Sequence, residues 1–147
     1  MKFFDKNGII YLQDSEVIIE GFKFYGSPYT PAFNDWYFMK KRDKLHEIWQ
    51  KIPEDTNVLI THGPPKGMLD LSEDRDGKLE ICGDKALFKR VMIIKPKYHL
   101  FGHVHSTREI CNTGLREVDG IVFSNASAVT DACFDKGITF HGNIITI

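Results

Sequence analysis

Two short motifs place three histidines at positions suited to metal binding. Each motif follows a short apolar run, and the two read Thr61-His62-Gly63-Pro64-Pro65 and Gly102-His103-Val104-His105. In extended backbone, residues two apart project to the same side, so His103 and His105 can reach one ion. Neutral imidazole is a common ligand of zinc, manganese and iron. The spacing therefore predicts a metal site. The alternatives are a polar surface turn for the second motif and a structural proline turn for the first.

The residues around these motifs predict the elements that hold them. Segments 57–61 and 98–102 are short apolar runs without alternation, which is typical of strands buried on both faces. Helices are predicted at 40–51 and 84–94, because apolar side chains recur there three and four residues apart and a proline follows each segment. Asp84 is expected to be the N-cap of the second helix. The two strands thus deliver the histidines to loops at matching strand ends.

Strands are also predicted at both ends of the chain. The predicted strands 17–19 and 22–25 are expected to form a hairpin through Glu20-Gly21. Residues between His62 and Gly83 are expected to form a long polar loop. The order of elements favours an α/β fold with strand-rich ends that can pack on another sheet. With no repeat or linker, residues 1–147 are expected to form one domain or part of one. These further strands are predicted at 9–12, 17–19, 22–25, 107–111, 118–124, 138–140 and 144–147.

The two histidine motifs resemble the last two motifs of the calcineurin-like metallophosphoesterases, which are dinuclear-metal hydrolases of phosphate esters. Three further segments, 11–17, 26–31 and 125–127, are similar to the metallophosphoesterase-domain-containing branch, which hydrolyses cyclic nucleotides and phosphodiesters. The resemblance runs from about Gly8 to the carboxyl end, and the segments occur in the family's order.

The resemblance implies a role for each histidine. His62 and His103 would ligate one metal and His105 the other, with manganese preferred over iron or zinc. Two cations in such a site hold a bridging hydroxide as the nucleophile and clamp the phosphoryl oxygens during in-line displacement. The implied activity is metal-dependent phosphodiester or cyclic-nucleotide hydrolysis, and the implied ligand is a small phosphate ester or nucleotide.

The family's first motifs are missing from the sequence. It contains no Asp-x-His and no Asn-His, and Gly83-Asp84 comes after His62 at a predicted helix start. The chain is therefore expected to be the carboxyl-terminal half of a two-sheet sandwich flanked by helices, with its other ligands supplied by a missing amino-terminal half or a partner chain. One alternative is an inactive metal-binding or nucleotide-binding module. The other is a cut fragment, with Met1 at a position where a longer polypeptide would have continued.

The missing half has consequences for metal binding and for partners. Without a bridging carboxylate, the chain alone is expected to hold at most one metal on three histidines. A strand edge and apolar faces that the other half would cover must be hidden by self-association or by another polypeptide. The chain is therefore expected to form a homodimer or a complex with a chain that supplies the rest.

Other candidate residues lie outside the histidine motifs. Tyr29, Asn34 and Trp36 are candidates for stacking a nucleobase, and the alternative is an aromatic loop folded onto its own core. Asn125 ends a predicted strand and is a candidate for orienting a histidine ligand from behind. The alternative for Asn125 is a plain strand-terminating turn.

Composition excludes several classes of partner. The 147 residues contain 19 Lys and Arg against 20 Asp and Glu, which gives a net charge of -1, so no general attraction to nucleic acid or anionic membrane is expected. The longest strictly aliphatic run is residues 91–94, far short of the roughly 20 residues of a membrane span. The three cysteines include no C-x-x-C pair and are expected to be reduced. These features predict a cytoplasmic protein.

Overall fold

The computed structural model describes residues 4, 6–33, 36–73, 76–107, 109–129, 138 and 140–147. Two helices and ten strands have both ends within these residues, and Phe4 and Lys6 are also helical. The helices are α1 (Arg42–Trp49) and α2 (Lys85–Ile94). The strands are β1 (Ser15–Ile19), β2 (Phe22–Ser27), β3 (Thr30–Pro31), β4 (Met39–Lys40), β5 (Val58–Thr61), β6 (Leu71–Glu73), β7 (Leu79–Ile81), β8 (Tyr98–Phe101), β9 (Gly114–Val118) and β10 (Ile121–Asn125).

The main sheet has six strands in the order β1-β2-β5-β8-β10-β9. Its four central strands are parallel, and the two edge strands pair antiparallel through hairpins. The predicted turn at Glu20-Gly21 is confirmed, with positive φ angles of 51° and 84°, as two-residue hairpins of the mirror-image type require. The parallel arrangement brings the carboxyl ends of β5 and β8 side by side.

Both helices cover one face of this sheet. Their apolar side chains Leu45, Trp49, Leu87 and Val91 are at most 1% exposed and join one core with sheet residues such as Leu59. The predicted positions of the two helices are confirmed, and so is the N-cap, because the Asp84 carboxylate accepts a hydrogen bond from the backbone N–H of Leu87. The start of α2 is joined to the segment that follows His62, because the Asp84 N–H donates to the Pro64 carbonyl.

The opposite face of the sheet is covered in part by the carboxyl-terminal segment and is partly open. The Tyr98 hydroxyl donates to the Thr146 carbonyl at 3.0 Å, and the Asn143 amide donates to the Ser124 hydroxyl at 2.8 Å. On the same face, Ile60 is 37% exposed and Leu115 is 52% exposed. Apolar side chains therefore remain in contact with solvent here.

Several predicted strands are wrong. Residues 9–12, 107, 109–111 and 144–147 form no strand, and the segment 118–124 is interrupted by the Asp119-Gly120 turn between β9 and β10. Alternating or apolar runs need a hydrogen-bonded neighbour to become strands, and only tertiary context supplies one. The predicted loop before Gly83 instead contains the β6–β7 hairpin. Residues 138 and 140 lie outside any strand, and residue 139 lies outside the described residues.

The α/β class is confirmed by this mixture of a large sheet and two helices. In the described part of the chain, neither helix is long and apolar enough to cross a membrane.

Candidate metal centre

The carboxyl ends of β5 and β8 bring two of the three histidines together. The His62 and His103 rings have centroids 4.5 Å apart and planes inclined by 41°. The backbone N–H of Gly102 donates to the His62 carbonyl at 3.1 Å and so joins the two loops. The two adjacent parallel strands therefore bring the two imidazoles together at the carboxyl end of the sheet, as expected from the sequence.

His103 occupies a strained backbone conformation. Its φ is +71°, and the Val104 N–H donates to the Gly102 carbonyl at 2.8 Å across it. These are the features of a γ-turn with positive φ, which is rare for a residue that carries a side chain. The extended backbone expected for Gly102-His103-Val104-His105 is therefore wrong. Backbone strain of this kind occurs preferentially at functional sites.

Burial keeps both rings of the pair neutral. Desolvation lowers the pKa of His62. Desolvation also lowers the pKa of His103 to about 4, with smaller contributions from the charges of His62 and His105. A neutral imidazole offers the free lone pair that metal coordination requires. The pair is therefore in the correct protonation state for binding a metal near neutral pH.

Two buried amide side chains hold the loop that carries His103 and His105. Asn125 donates to the Val104 carbonyl at 2.9 Å and to the Leu69 carbonyl at 3.2 Å. Asn112 donates to the His105 carbonyl at 2.8 Å. The Asn125 side chain is thus hydrogen-bonded to the backbone of the residue between His103 and His105. Asn112 was missed from the sequence, since only the folded chain brings it to this loop.

The loop that carries His62 is fastened to the start of α2. The Asp84 N–H donates to the Pro64 carbonyl at 3.1 Å, and the Lys66 N–H donates to the Asp84 carbonyl at 3.0 Å. Within the loop, the Thr61 hydroxyl donates to the Gly63 carbonyl at 2.7 Å. These bonds fix the backbone on both sides of His62.

Gly63 allows a third segment to approach the pair. A Cβ atom at this position would lie 2.8 Å from the Thr30 hydroxyl oxygen and 3.6 Å from Cδ2 of His103. Only glycine lets Thr30, the first residue of β3, pack so closely here. The segment that contains the aromatic candidates therefore starts beside the histidines.

The predicted nucleobase-stacking residues take different positions. The Tyr29 ring meets the Phe38 ring edge-on at 5.9 Å, and the Lys40 ammonium lies 5.5 Å from its centroid. Trp36 is 63% exposed and contacts Phe33. Asn34 lies outside the described residues. Among the candidates that the structure describes, Trp36 thus presents its ring to solvent and Tyr29 is half-buried.

The histidines alone do not complete a metal site. Among the described residues, no group of three or more His, Cys, Asp or Glu side chains is placed to hold one ion. His105 is near enough to affect the pKa of His103 but does not join a three-ligand group with the pair. Two neutral imidazoles fit part of a metal's donor set, and the rest of the set is not formed by these residues.

The chain is similar to known proteins over most of its length. No family model matches it. It is 46% identical over 123 residues, 82% of its length, to human Metallophosphoesterase domain-containing protein 1, and 42% identical over 106 residues, 72% of its length, to a UPF0046 protein of Caenorhabditis elegans. A crystal structure with a TM-score of 0.58 and 19% identity covers 82% of this chain and 47% of its own, a likeness that shows the fold alone.

The similarity covers only part of each relative. The chain spans 35% of the length of the human protein and 35% of the length of the nematode protein. The aligned residues of this chain carry the histidine pair at the strand ends described above. The chain is thus related to the metallophosphoesterase-domain-containing and UPF0046 proteins.

Proposed function

We propose that the chain is the carboxyl-terminal half of a metallophosphoesterase-type two-sheet sandwich and hydrolyses phosphodiesters or cyclic nucleotides once its site is completed. His62, His103 and His105 are its contribution to a divalent-metal site, for which manganese is the preferred ion. The observation that carries the proposal is the pair of neutral imidazoles 4.5 Å apart at the ends of adjacent parallel strands. The strained γ-turn at His103 supports it, because backbone strain of this kind occurs preferentially at functional sites.

Completion from outside these residues is supported by three observations. The described residues form no three-ligand group, and the chain spans 35% of its human relative. The sheet face opposite the helices exposes Ile60 and Leu115, as a sheet does when a second sheet is absent from it. The remaining ligands and the second sheet would come from an amino-terminal half, a partner chain or a second copy.

A non-catalytic metal-binding or nucleotide-binding module is the second candidate. The incomplete donor set in the described residues favours it. In that case the pair would still bind a divalent metal, but no partner would restore hydrolysis.

The test is hydrolysis of bis(p-nitrophenyl) phosphate with manganese. The chain is assayed alone at several concentrations and together with the part of human Metallophosphoesterase domain-containing protein 1 that it does not match. Turnover is expected on completion by that part or, at high concentration, by a second copy. His103→Ala is expected to lower the rate by about 100-fold or more.

His46→Ala is the matched control, because His46 is exposed on α1 and should leave the rate unchanged. A completed complex that associates without turnover would favour the non-catalytic module. Turnover that survives His103→Ala would mean that the metal lies elsewhere.

A further inference from the structure

We propose that His99 positions the metal-binding pair by holding the turn that carries His62. His99 donates a hydrogen bond to the Thr61 hydroxyl, which in turn donates to the Gly63 carbonyl. This inference rests on the proposed function, since it assigns a role in building the same site. The sequence offered no reason to single out His99.

His99 lies in the middle of β8 and is fully buried, with 0% exposure. Its Nε2 lies 2.9 Å from the Thr61 hydroxyl oxygen on the neighbouring strand β5. The Phe101 and Phe123 rings contact it with centroid distances of 5.1 Å and 5.8 Å. Only one side of the imidazole therefore meets a polar group.

The direction of the hydrogen bonds follows from the number of protons. The Thr61 hydroxyl has one hydrogen, and this hydrogen is directed to the Gly63 carbonyl at 2.7 Å. The hydroxyl oxygen must then accept from His99, so the proton of the neutral ring is on Nε2. Burial lowers the pKa of His99 to about 3, which keeps the ring in this neutral form.

A purely structural role would be better served by an apolar side chain. Nδ1 of His99 is buried without a hydrogen-bond partner among the described residues, and an unpaired buried polar atom is destabilising. Leucine would fill a similar volume between the phenylalanines without that penalty. The histidine is therefore explained by its bond to Thr61.

The hydrogen-bond chain reaches both members of the pair. The Thr61–Gly63 bond closes the backbone around His62. The His62 carbonyl accepts from Gly102, the residue before His103. A Cβ atom at Gly63 would be in van der Waals contact with the His103 ring, at 3.6 Å from its Cδ2 atom. Loss of the anchor at Thr61 would therefore loosen the spacing of the two rings.

The test compares His99→Leu with His99→Gln, whose amide nitrogen can replace the Nε2 donor. In the full chain, zinc affinity is measured by calorimetry, and the nuclear Overhauser effect between the His62 and His103 rings is measured without metal. We expect the leucine variant to lose about tenfold or more in affinity and to weaken the ring-to-ring effect, and the glutamine variant to retain both. Unfolding in urea should show the leucine variant at least as stable as the wild type.

A leucine variant with wild-type zinc affinity and an unchanged ring-to-ring effect would overturn the proposal. Equal losses in the leucine and glutamine variants would also overturn it, because the donor would then be irrelevant. If the leucine variant does not fold, Thr61→Val removes the same link while keeping the shape, and wild-type behaviour there would overturn the proposal as well. Failure of the wild type to bind zinc would count against the proposed function alone, since the metal-free ring contact still tests His99.

Discussion

Asp84→Ala is expected to lower the free energy of unfolding by about 3 kcal/mol, from the loss of a helix cap and of a buried hydrogen bond. The Asp84 carboxylate is buried and accepts from the Leu87 N–H at 2.7 Å and from the Trp49 indole N–H at 2.9 Å. Alanine would leave the indole donor unpaired in the core between the two helices. The ion pair between the Asp84 carboxylate and the exposed Arg42 guanidinium should contribute little to the free energy of unfolding, because solvent screens it.

Urea unfolding followed by circular dichroism measures this effect. Asp84→Asn keeps an acceptor oxygen and is expected to lose only about 1 kcal/mol, as for a neutral hydrogen bond. Asp43→Ala is the control, because Asp43 is an exposed acidic residue in the first turn of α1. An Asp84→Ala variant as stable as the Asp43→Ala variant would contradict the role of Asp84 in joining the helices.

The stability of the protein is expected to fall in mild acid because of His99. Burial lowers the pKa of His99 to about 3, whereas the unfolded chain binds this proton near pH 6.5. Between these values the unfolded state holds one more proton, so the free energy of unfolding decreases by about 1.4 kcal/mol per pH unit on acidification. This contribution is complete above pH 6.5, is lost as the pH falls towards 3, and amounts to about 3 kcal/mol between pH 6.5 and pH 4. His103 acts in the same direction.

The measurement is urea unfolding of the wild type and His99→Leu across this pH range. The leucine variant should lose less stability on acidification, with a slope shallower by about 1 kcal/mol per pH unit. His46→Ala should follow the wild type. Parallel lines for the wild type and the leucine variant would show that His99 is not held neutral by burial.

Features with local signals in the sequence could be predicted. The helices follow from apolar spacing and prolines, and the N-cap at Asp84 follows from its place before the second helix. The meeting of His62 and His103 follows from two buried strands that end in histidine motifs. The residues that determine the helices and the N-cap lie within a few positions of each other. The meeting of the two histidines requires only that their two strands pair in parallel.

Features that depend on contacts across the sheet could not be predicted. The hydrogen bond between His99 and Thr61 depends on the register of β8 against β5. The hydrogen bond from Asn112 to the His105 carbonyl depends on loop conformations that no sequence pattern predicts. The γ-turn at His103 was missed because Gly102-His103-Val104-His105 was read as extended backbone. Strain of this kind persists only when surrounding structure imposes it.

The central claim is that His62 and His103 together bind a divalent metal. The most direct measurement is a titration of the chain with manganese, followed through the nuclear magnetic resonance signals of the histidine rings, which bound manganese broadens. We expect the His62 and His103 signals to broaden first and together, before those of His46 and His141, which are both exposed. The effect should disappear from His62 in His103→Ala. Broadening of His46 or His141 with sharp His62 and His103 signals would contradict the claim.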